Sequence, residues 1–211
     1  MNPIIKNIFI IVVLIVLIFA FSSSYTSLSI DNLAFVVAIG IDSSSNNKYK
    51  ITFQFVNVSS LSENGTTDQS PTIVHSVEAS SIGTAINLMD TFIERELNLS
   101  HCKQVVISEE VASRGISKEI YTLMNDIQLR ASTNIIISKC DANYYIKNSS
   151  PNLENLITQY YEKLPDASNY TGYSMNASLG KFFNSLVSNT CEPVAILRKY
   201  FFFISKYIFS F

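Results

Sequence analysis

Two histidines, three cysteines and a few closely spaced carboxylates are the side chains of this sequence most able to do chemistry. His101 and Cys102 are neighbours, flanked by Ser100 and Lys103. A Cys–His pair makes a nucleophile when thiol and imidazole meet in space and a third group orients the base. The stretch Cys102–Ile107 reads as a strand, on which successive side chains point to opposite faces, so this pair is not expected to meet. His75 lies in a brief alternation, Thr72–Glu78, and reads as a packed or surface strand residue rather than a ligand. Glu94 and Glu96 stand two apart near a helix end, a spacing that does not bring side chains together. Glu109 and Glu110 open another helix, where the dipole alone favours acidic residues. Gly40 and Gly83 are not part of a G-x-G-x-x-G, and no P-loop, G-x-S-x-G or H-E-x-x-H pattern occurs. Cys102, Cys140 and Cys191 form no C-x-x-C pair and show no metal-ligand spacing. One disulfide is open to an exported chain; the simpler reading is three small buried hydrophobes. No catalytic residue, cofactor or metal is expected from this inventory.

The elements that would position these residues begin after an apolar N-terminus. Lys6 is followed by Ile8–Phe21 without a polar residue. About 14 helical residues span about 21 Å, short of the ~30 Å hydrocarbon core, which suits a secretory signal. If Ile4 and Ile5 join the run and Lys6 snorkels, the same segment can serve as an uncleaved anchor. Residues 1–24 are therefore a signal peptide or N-terminal membrane anchor. No Cys follows the run to take a lipid. The 211 residues suit one ordinary domain, and a net charge of −2 with scattered Lys and Arg leaves no footprint for nucleic acid.

Leu33–Ile41 is too apolar for a solvent-facing strand and reads as a buried one. Tyr49, Ile51, Phe53 and Phe55 alternate with Lys50, Thr52 and Gln54, which predicts a strand with one wet face. The polar connector Ser43–Lys48 makes the two an antiparallel hairpin. Ser59–Ser70 reads as a mobile loop, and Thr72–Glu78 as a third short strand. Ser80 or Ser81 caps a helix with an apolar stripe at Ile82, Ala85, Ile86, Met89, Phe92 and Ile93. A short helix near Glu109–Ala112 ends at Arg114–Gly115, with the glycine as its cap. Ser117 starts another helix, with Ile120, Leu123, Met124 and Ile127 on one face. Asn134–Ile137 is a strand and Ala142–Ile146 a short helix. A helix introduced by Pro151 carries Leu153, Leu156, Ile157, Tyr160, Tyr161 and Leu164, and Leu179–Val187 is the last. Strands interleaved with helices predict an α+β (α/β-like) fold, a mixed sheet with an opening antiparallel hairpin covered by amphipathic helices.

Three segments together resemble the Ger(x)C proteins, the C-subunit family of bacterial spore germinant receptors. The first is Asp31-Asn32-Leu33-Ala34-Phe35-Val36-Val37-Ala38-Ile39-Gly40-Ile41-Asp42. The second is Ser100-His101-Cys102-Lys103 through Glu109 and Ala112, with Gly115-Ile116. The third is the polar helix end Asn125–Arg130 followed by Ser132–Cys140. The resemblance covers residues 1–197 and implies a non-enzymatic, exported, membrane-associated subunit on the outer face of the spore inner membrane. It would respond to nutrients together with A- and B-type membrane subunits. Residues 25–197 would be the N-terminal α/β domain of such a subunit. The motif residues Asp31, Asn32, Leu33, Gly40, Asp42, Ser100, His101, Cys102, Lys103, Glu109 and Gly115 are expected to be structural.

Two departures stand out against that family. Its members carry a lipidated Cys where this chain has Phe21-Ser22-Ser23-Ser24-Tyr25. They are also longer, whereas residues 198–211 here form an aromatic tail, expected to be the aberrant end of a truncated copy. An interfacial tail and a last buried strand are the alternatives. Other function classes make distinct demands. A solute-binding or adhesion protein needs a ligand cleft, and an exported hydrolase needs His101 to act.

Overall fold

The computed structural model describes residues 3–22, 32–45, 48–57, 72–149, 154, 156–172, 174–188 and 191–198. The chain divides into two units, Met1–Asn32 and Leu33–Phe211. The first contains helix α1 (Pro3–Ser22), whose apolar side chains from Ile4 to Val16 are exposed. Among the described residues, no helix is long and apolar enough to cross a membrane. The expected loop Ser59–Ser70, Asp31, the helix start at Pro151–Leu153 and the tail after Arg198 lie outside the described residues.

The second unit is built on strands β1 (Leu33–Ser43), β2 (Tyr49–Val56), β3 (Thr72–Ala79), β4 (Glu96–Asn98), β5 (Gln104–Ser108), β6 (Asn134–Ser138) and β7 (Ile196–Arg198). They form one mixed sheet in the order β3-β2-β1-β5-β6-β7, with β4 pairing the start of β1. The β1–β2–β3 pairs are antiparallel, and β1, β5, β6 and β7 run parallel. The opening hairpin and the α+β class predicted from the sequence are both present. Strands β4 and β7, three residues each, have no counterpart in the sequence pattern.

Helices cover both faces. On one lie α2 (Ile82–Phe92), α3 (Glu109–Ser113), α4 (Ser117–Met124) and α7 (Leu179–Ser188). They bury Ile39, Ile41, Ile51, Phe53, Val105, Ile107 and Ile135 from the sheet beneath Ile82, Met89, Ile120, Leu123 and Phe182. The Ser81 hydroxyl accepts from the Thr84 N–H at 3.1 Å and caps α2 as expected. Gly115, at φ +91°, ends the turn after α3 in a conformation that suits glycine. On the other face lie α5 (Ala142–Asn148) and α6 (Ile157–Lys163), the latter continuing as a 3-10 helix over Leu164–Asn169.

A register shift between Val36 and Ala38 in the β1–β2 pair turns Val37 and Ala38 to the same side, into the α5–α6 cluster, while Val36 and Ile39 face the larger core. That second face corrects one expectation. Thr52 and Gln54 are not on a wet surface but are 0% and 1% exposed, because helices from a hundred residues downstream cover them. Two apolar residues are displaced as well. Helix α4 ends at Met124, so Ile127 is 99% exposed, and Phe92 at the end of α2 is 73% exposed.

Candidate functional site

The α5–α6 face of the sheet is unusual in being polar and buried at once. Asp42, Thr52, Gln54, Gln104, Ser108 and Ser138 all lie there, each buried. Their strand neighbours Ile41, Ile51, Phe53, Val105 and Ile107 point to the opposite core, so alternation alone sends these six to this side. Five of the residues that cover them belong to the two helices: Ala142, Tyr145, Ile146, Ile157 and Tyr161.

Gly40 and Asp42 set the position of α5. A Cβ on Gly40 would lie 2.9 Å from Ile146 Cδ1, 3.2 Å from Ala142 Cβ and 3.3 Å from Thr52 Cβ, so glycine leaves the space into which the helix descends. Two residues on, the Asp42 carboxylate accepts from two of the free amides at the start of α5. Ala142 N–H donates to Oδ1 at 2.6 Å and Asn143 N–H to Oδ2 at 2.8 Å. The cap is supplied by the sheet and not by the helix's own N-cap residue, Asp141, whose side chain makes no cap bond. Burial pushes the Asp42 carboxyl above its ordinary range, and the two backbone donors oppose that shift.

Further polar contacts extend along the face. Asn143 Nδ2 donates to Thr52 Oγ1 at 3.0 Å and to Ser76 Oγ at 2.7 Å, tying α5 to β2 and β3. The Tyr161 hydroxyl donates to Gln54 Oε1 at 2.9 Å, and Asn134 Nδ2 to the Tyr161 carbonyl at 3.2 Å. Burial pushes both the Tyr161 and Tyr145 phenols up. Gln104 is fully buried in the middle of the sheet, and the Ser108 Oγ, also buried, makes no hydrogen bond. The Tyr145 hydroxyl is the polar neighbour of Gln104.

The Ser100–Lys103 segment forms the turn before β5, whereas the sequence pattern started the strand at Cys102. Ser100 bonds to the Asn98 side chain. His101 is exposed and stands edge-on to the Phe35 ring, with centroids 5.1 Å apart. Cys102 is buried, its thiol donating to the Gln104 carbonyl at 3.5 Å, and burial pushes the thiol up to about 12. Histidine and thiol are thus engaged in opposite directions. Lys103 joins three strands through its backbone: its N–H donates to the Val37 carbonyl and its carbonyl accepts from Asn134, both at 2.9 Å. Its ammonium pairs with Glu162 at 3.2 Å. Asn32 precedes β1, and Leu33 pairs with Glu96.

The carboxylate pairs do not converge. Glu94 lines a groove of mixed polar and apolar character, while Glu96 sits on β4. Glu109 and Glu110 open α3, and Glu110 pairs with Arg114 one turn on. His75 is exposed on the edge strand β3, beside the Phe55 ring at 6.1 Å. All three cysteines are free thiols; Cys102 fits the buried-hydrophobe reading, Cys140 is half-buried, and Cys191 is exposed, which corrects that reading. Among the described residues, no group of three or more His, Cys, Asp or Glu is placed to hold a metal ion.

Two open grooves of about 430 Å³ flank the ends of the sheet strands. One is lined by Leu33, Phe55, Ile73, Phe92 and Arg95, the other by Lys103, Arg130, Glu162, Asp166 and Lys181. The first brings together the ends of β1, β2, β3 and α2, and the second the turns before β5 and β6, so motif residues Leu33 and Lys103 each meet residues distant in sequence.

The family model of the spore germination protein N-terminal domain matches residues 27–198. The chain belongs to that family. The match runs from just before β1 to the last residue of β7, so the whole sheet is a spore germination protein N-terminal domain. Two curated relatives from Bacillus subtilis (strain 168) agree. Spore germination protein KC is 25% identical over 170 residues, covering 77% of this chain and 42% of the relative. Putative spore germination protein YfkR is 27% identical over 171 residues, covering 79% and 43%. The chain thus spans a little over two fifths of the length of these relatives. No solved structure matches it. The resemblance to the Ger(x)C proteins read from the sequence therefore holds, and the chain is a member of a spore germination family.

Proposed function

We propose that this chain is a non-catalytic subunit of a nutrient germinant receptor, held at the outer face of the spore inner membrane. In this reading it acts through contacts with polytopic A- and B-type partner subunits. The observation that carries the proposal is the family match across all seven strands of the described sheet. The state of the reactive side chains supports it. Asp42 is occupied by two backbone donors, Cys102 is buried with its thiol pushed up, and His101 packs on Phe35. These groups build a scaffold rather than a reaction centre. The motif residues Leu33, Gly40, Asp42, Cys102, Lys103 and Gly115 accordingly serve to place strands, a helix and a turn.

Residues 1–24 would supply the membrane attachment, and residues 25–197 the receptor domain. Exposed side chains from Ile4 to Val16, with no acidic residue among them, support that division. Fractionation of spores tests it. The full chain should sediment with inner-membrane vesicles and resist a high-salt wash, and a variant lacking residues 1–24 should not reach that fraction. Recovery of the full chain in the soluble fraction of growing cells would count decisively against the proposal.

A further inference from the structure

The start of β1, the end of β2 and the start of β3 lie at one end of the sheet, since Val36 pairs with Phe55 and Phe55 with Ile73. Two further connections are tied to that end through β4, which pairs Glu96 with Leu33 and Asn98 with Phe35. The Leu97 N–H donates to Asp90 Oδ1 at 2.8 Å, which brings in the end of α2. The Leu99 N–H donates to Gln128 Oε1 at 2.7 Å, which brings in the chain that follows α4. Each of these connections exposes a large apolar side chain: Ile73 at 43%, Phe92 at 73% and Ile127 at 99%. Ile73 and Phe92 line the same groove as Leu33. The connections at the opposite end, 43–45, 80–81, 114–115 and 139–141, expose no large apolar side chain.

That end is also where the chain arrives from its N-terminal segment. Between Ser22, the last residue of α1, and Leu33, the first of β1, the chain is short. At ~3.6 Å per residue it reaches about 40 Å at most. A few exposed apolar side chains hold a free protein to lipid only weakly, but a short tether makes their contact intramolecular, and the two attachments reinforce each other. Charge adds no pull, because the exposed Arg95 and Arg130 are offset by the exposed Glu94 and Glu96. We propose that Ile73, Phe92 and Ile127 dip into the bilayer surface and set the domain on the membrane with the start of β1 facing the lipid. The occupant of this apolar end is the lipid surface itself, and the end that carries α3 and Gly115 is turned away from it. The inference rests on the reading of residues 1–24 as the membrane attachment and adds to it the orientation of the domain.

The sequence contains no tryptophan, so a single substitution supplies a single fluorophore. Phe92→Trp, Ile127→Trp and, at the opposite end, the exposed Ser80→Trp are made in the full chain. Each is reconstituted into phosphatidylglycerol–phosphatidylethanolamine vesicles, with and without bromine on the acyl chains. Flotation with the vesicles checks the attachment first. Brominated lipid should then remove most of the emission of Phe92→Trp and Ile127→Trp and leave Ser80→Trp unquenched. The pattern should survive salt that screens surface charge. The vesicles hold no partner subunit, so quenching reports lipid alone. If bromine leaves Phe92→Trp and Ile127→Trp as bright as before, these side chains belong to a protein partner or a second copy and the proposal is overturned. Equal quenching of all three would overturn it as well, since neither end would then face the lipid. Chain left behind when the vesicles float would instead refute the attachment reading, and the orientation with it.

Discussion

Asp42 at the end of β1 and Asn143 at the start of α5 meet across 101 residues of chain, the Asp42 Oδ2 accepting the Asn143 N–H at 2.8 Å. The contact makes a helix cap out of a strand residue. It also explains the Gly40-x-Asp42 spacing: the glycine admits the body of the helix, and the aspartate receives its first amides.

Substitution at Gly40 should show that close approach directly. Gly40→Ala places a methyl group against Ile146, Ala142 and Thr52, and we expect a loss of about 1–3 kcal/mol. A methyl group added to Gly83 in α2 would meet nothing within 4 Å, so this glycine serves as the contrast. Gly83→Ala should be neutral or stabilising by about 0.5–1 kcal/mol. Urea unfolding of both variants checks the pair, and equal effects would contradict it.

The pH dependence of Asp42 runs opposite to that of a salt-bridged carboxylate. Its folded-state pKa lies above the ordinary 3.8 because burial disfavours the charge. Its contribution to stability is therefore fullest below 3.8 and declines as pH rises through the folded value. Asp42→Asn abolishes the titration and turns an amide N–H₂ toward a backbone N–H, at a cost of about 1–3 kcal/mol. The stability gap between wild type and Asp42→Asn should narrow as pH rises from about 3.5 toward neutrality. Denaturation of both proteins over that range measures it, and a gap that widens would be the contrary result.

Much of this architecture was legible locally. The hairpin, the capped α2 and the turn at Gly115 each follow from a local pattern, namely the apolar run of β1 joined by Ser43–Lys48 to the alternation of β2, Ser81, and the glycine itself. The polar face was not. Thr52 and Gln54 look solvent-facing in their own strand, and only α5 and α6 reveal that they are covered. Gly40 and Asp42 stood out as motif residues, but their common task depends on a helix a hundred residues away. Strands β4 and β7 are too short for any period, and Ile127 misled because α4 stops three residues earlier.

A second buried carboxylate gives an independent test of polar packing. Glu119, 4% exposed on α4, accepts from the Tyr49 hydroxyl, and that bond pushes the Tyr49 phenol up to about 12. Tyr49→Phe leaves the carboxylate without this donor and should cost about 1–3 kcal/mol. In a double-mutant cycle with Glu119→Met, the coupling should be about 1 kcal/mol or more. A coupling of zero would show that the bond contributes nothing in solution.

The thiols should separate by burial. At pH 8 a group titrating near 12 is thiolate in about one molecule in ten thousand, and Cys102 is also shielded from reagent. A thiol-specific probe should label the exposed Cys191 first and reach Cys102 only on unfolding. Mass spectrometry of the digested, labelled protein identifies the order. Early labelling of Cys102 would contradict the packing of its turn.

The receptor-subunit reading is tested most directly by asking what travels with the chain in spores. Affinity purification of a tagged full-length copy from spore inner membranes, solubilised in mild detergent, should recover two kinds of polytopic membrane protein in constant proportion. Recovery of the chain alone, under conditions that keep other spore membrane complexes intact, would contradict it.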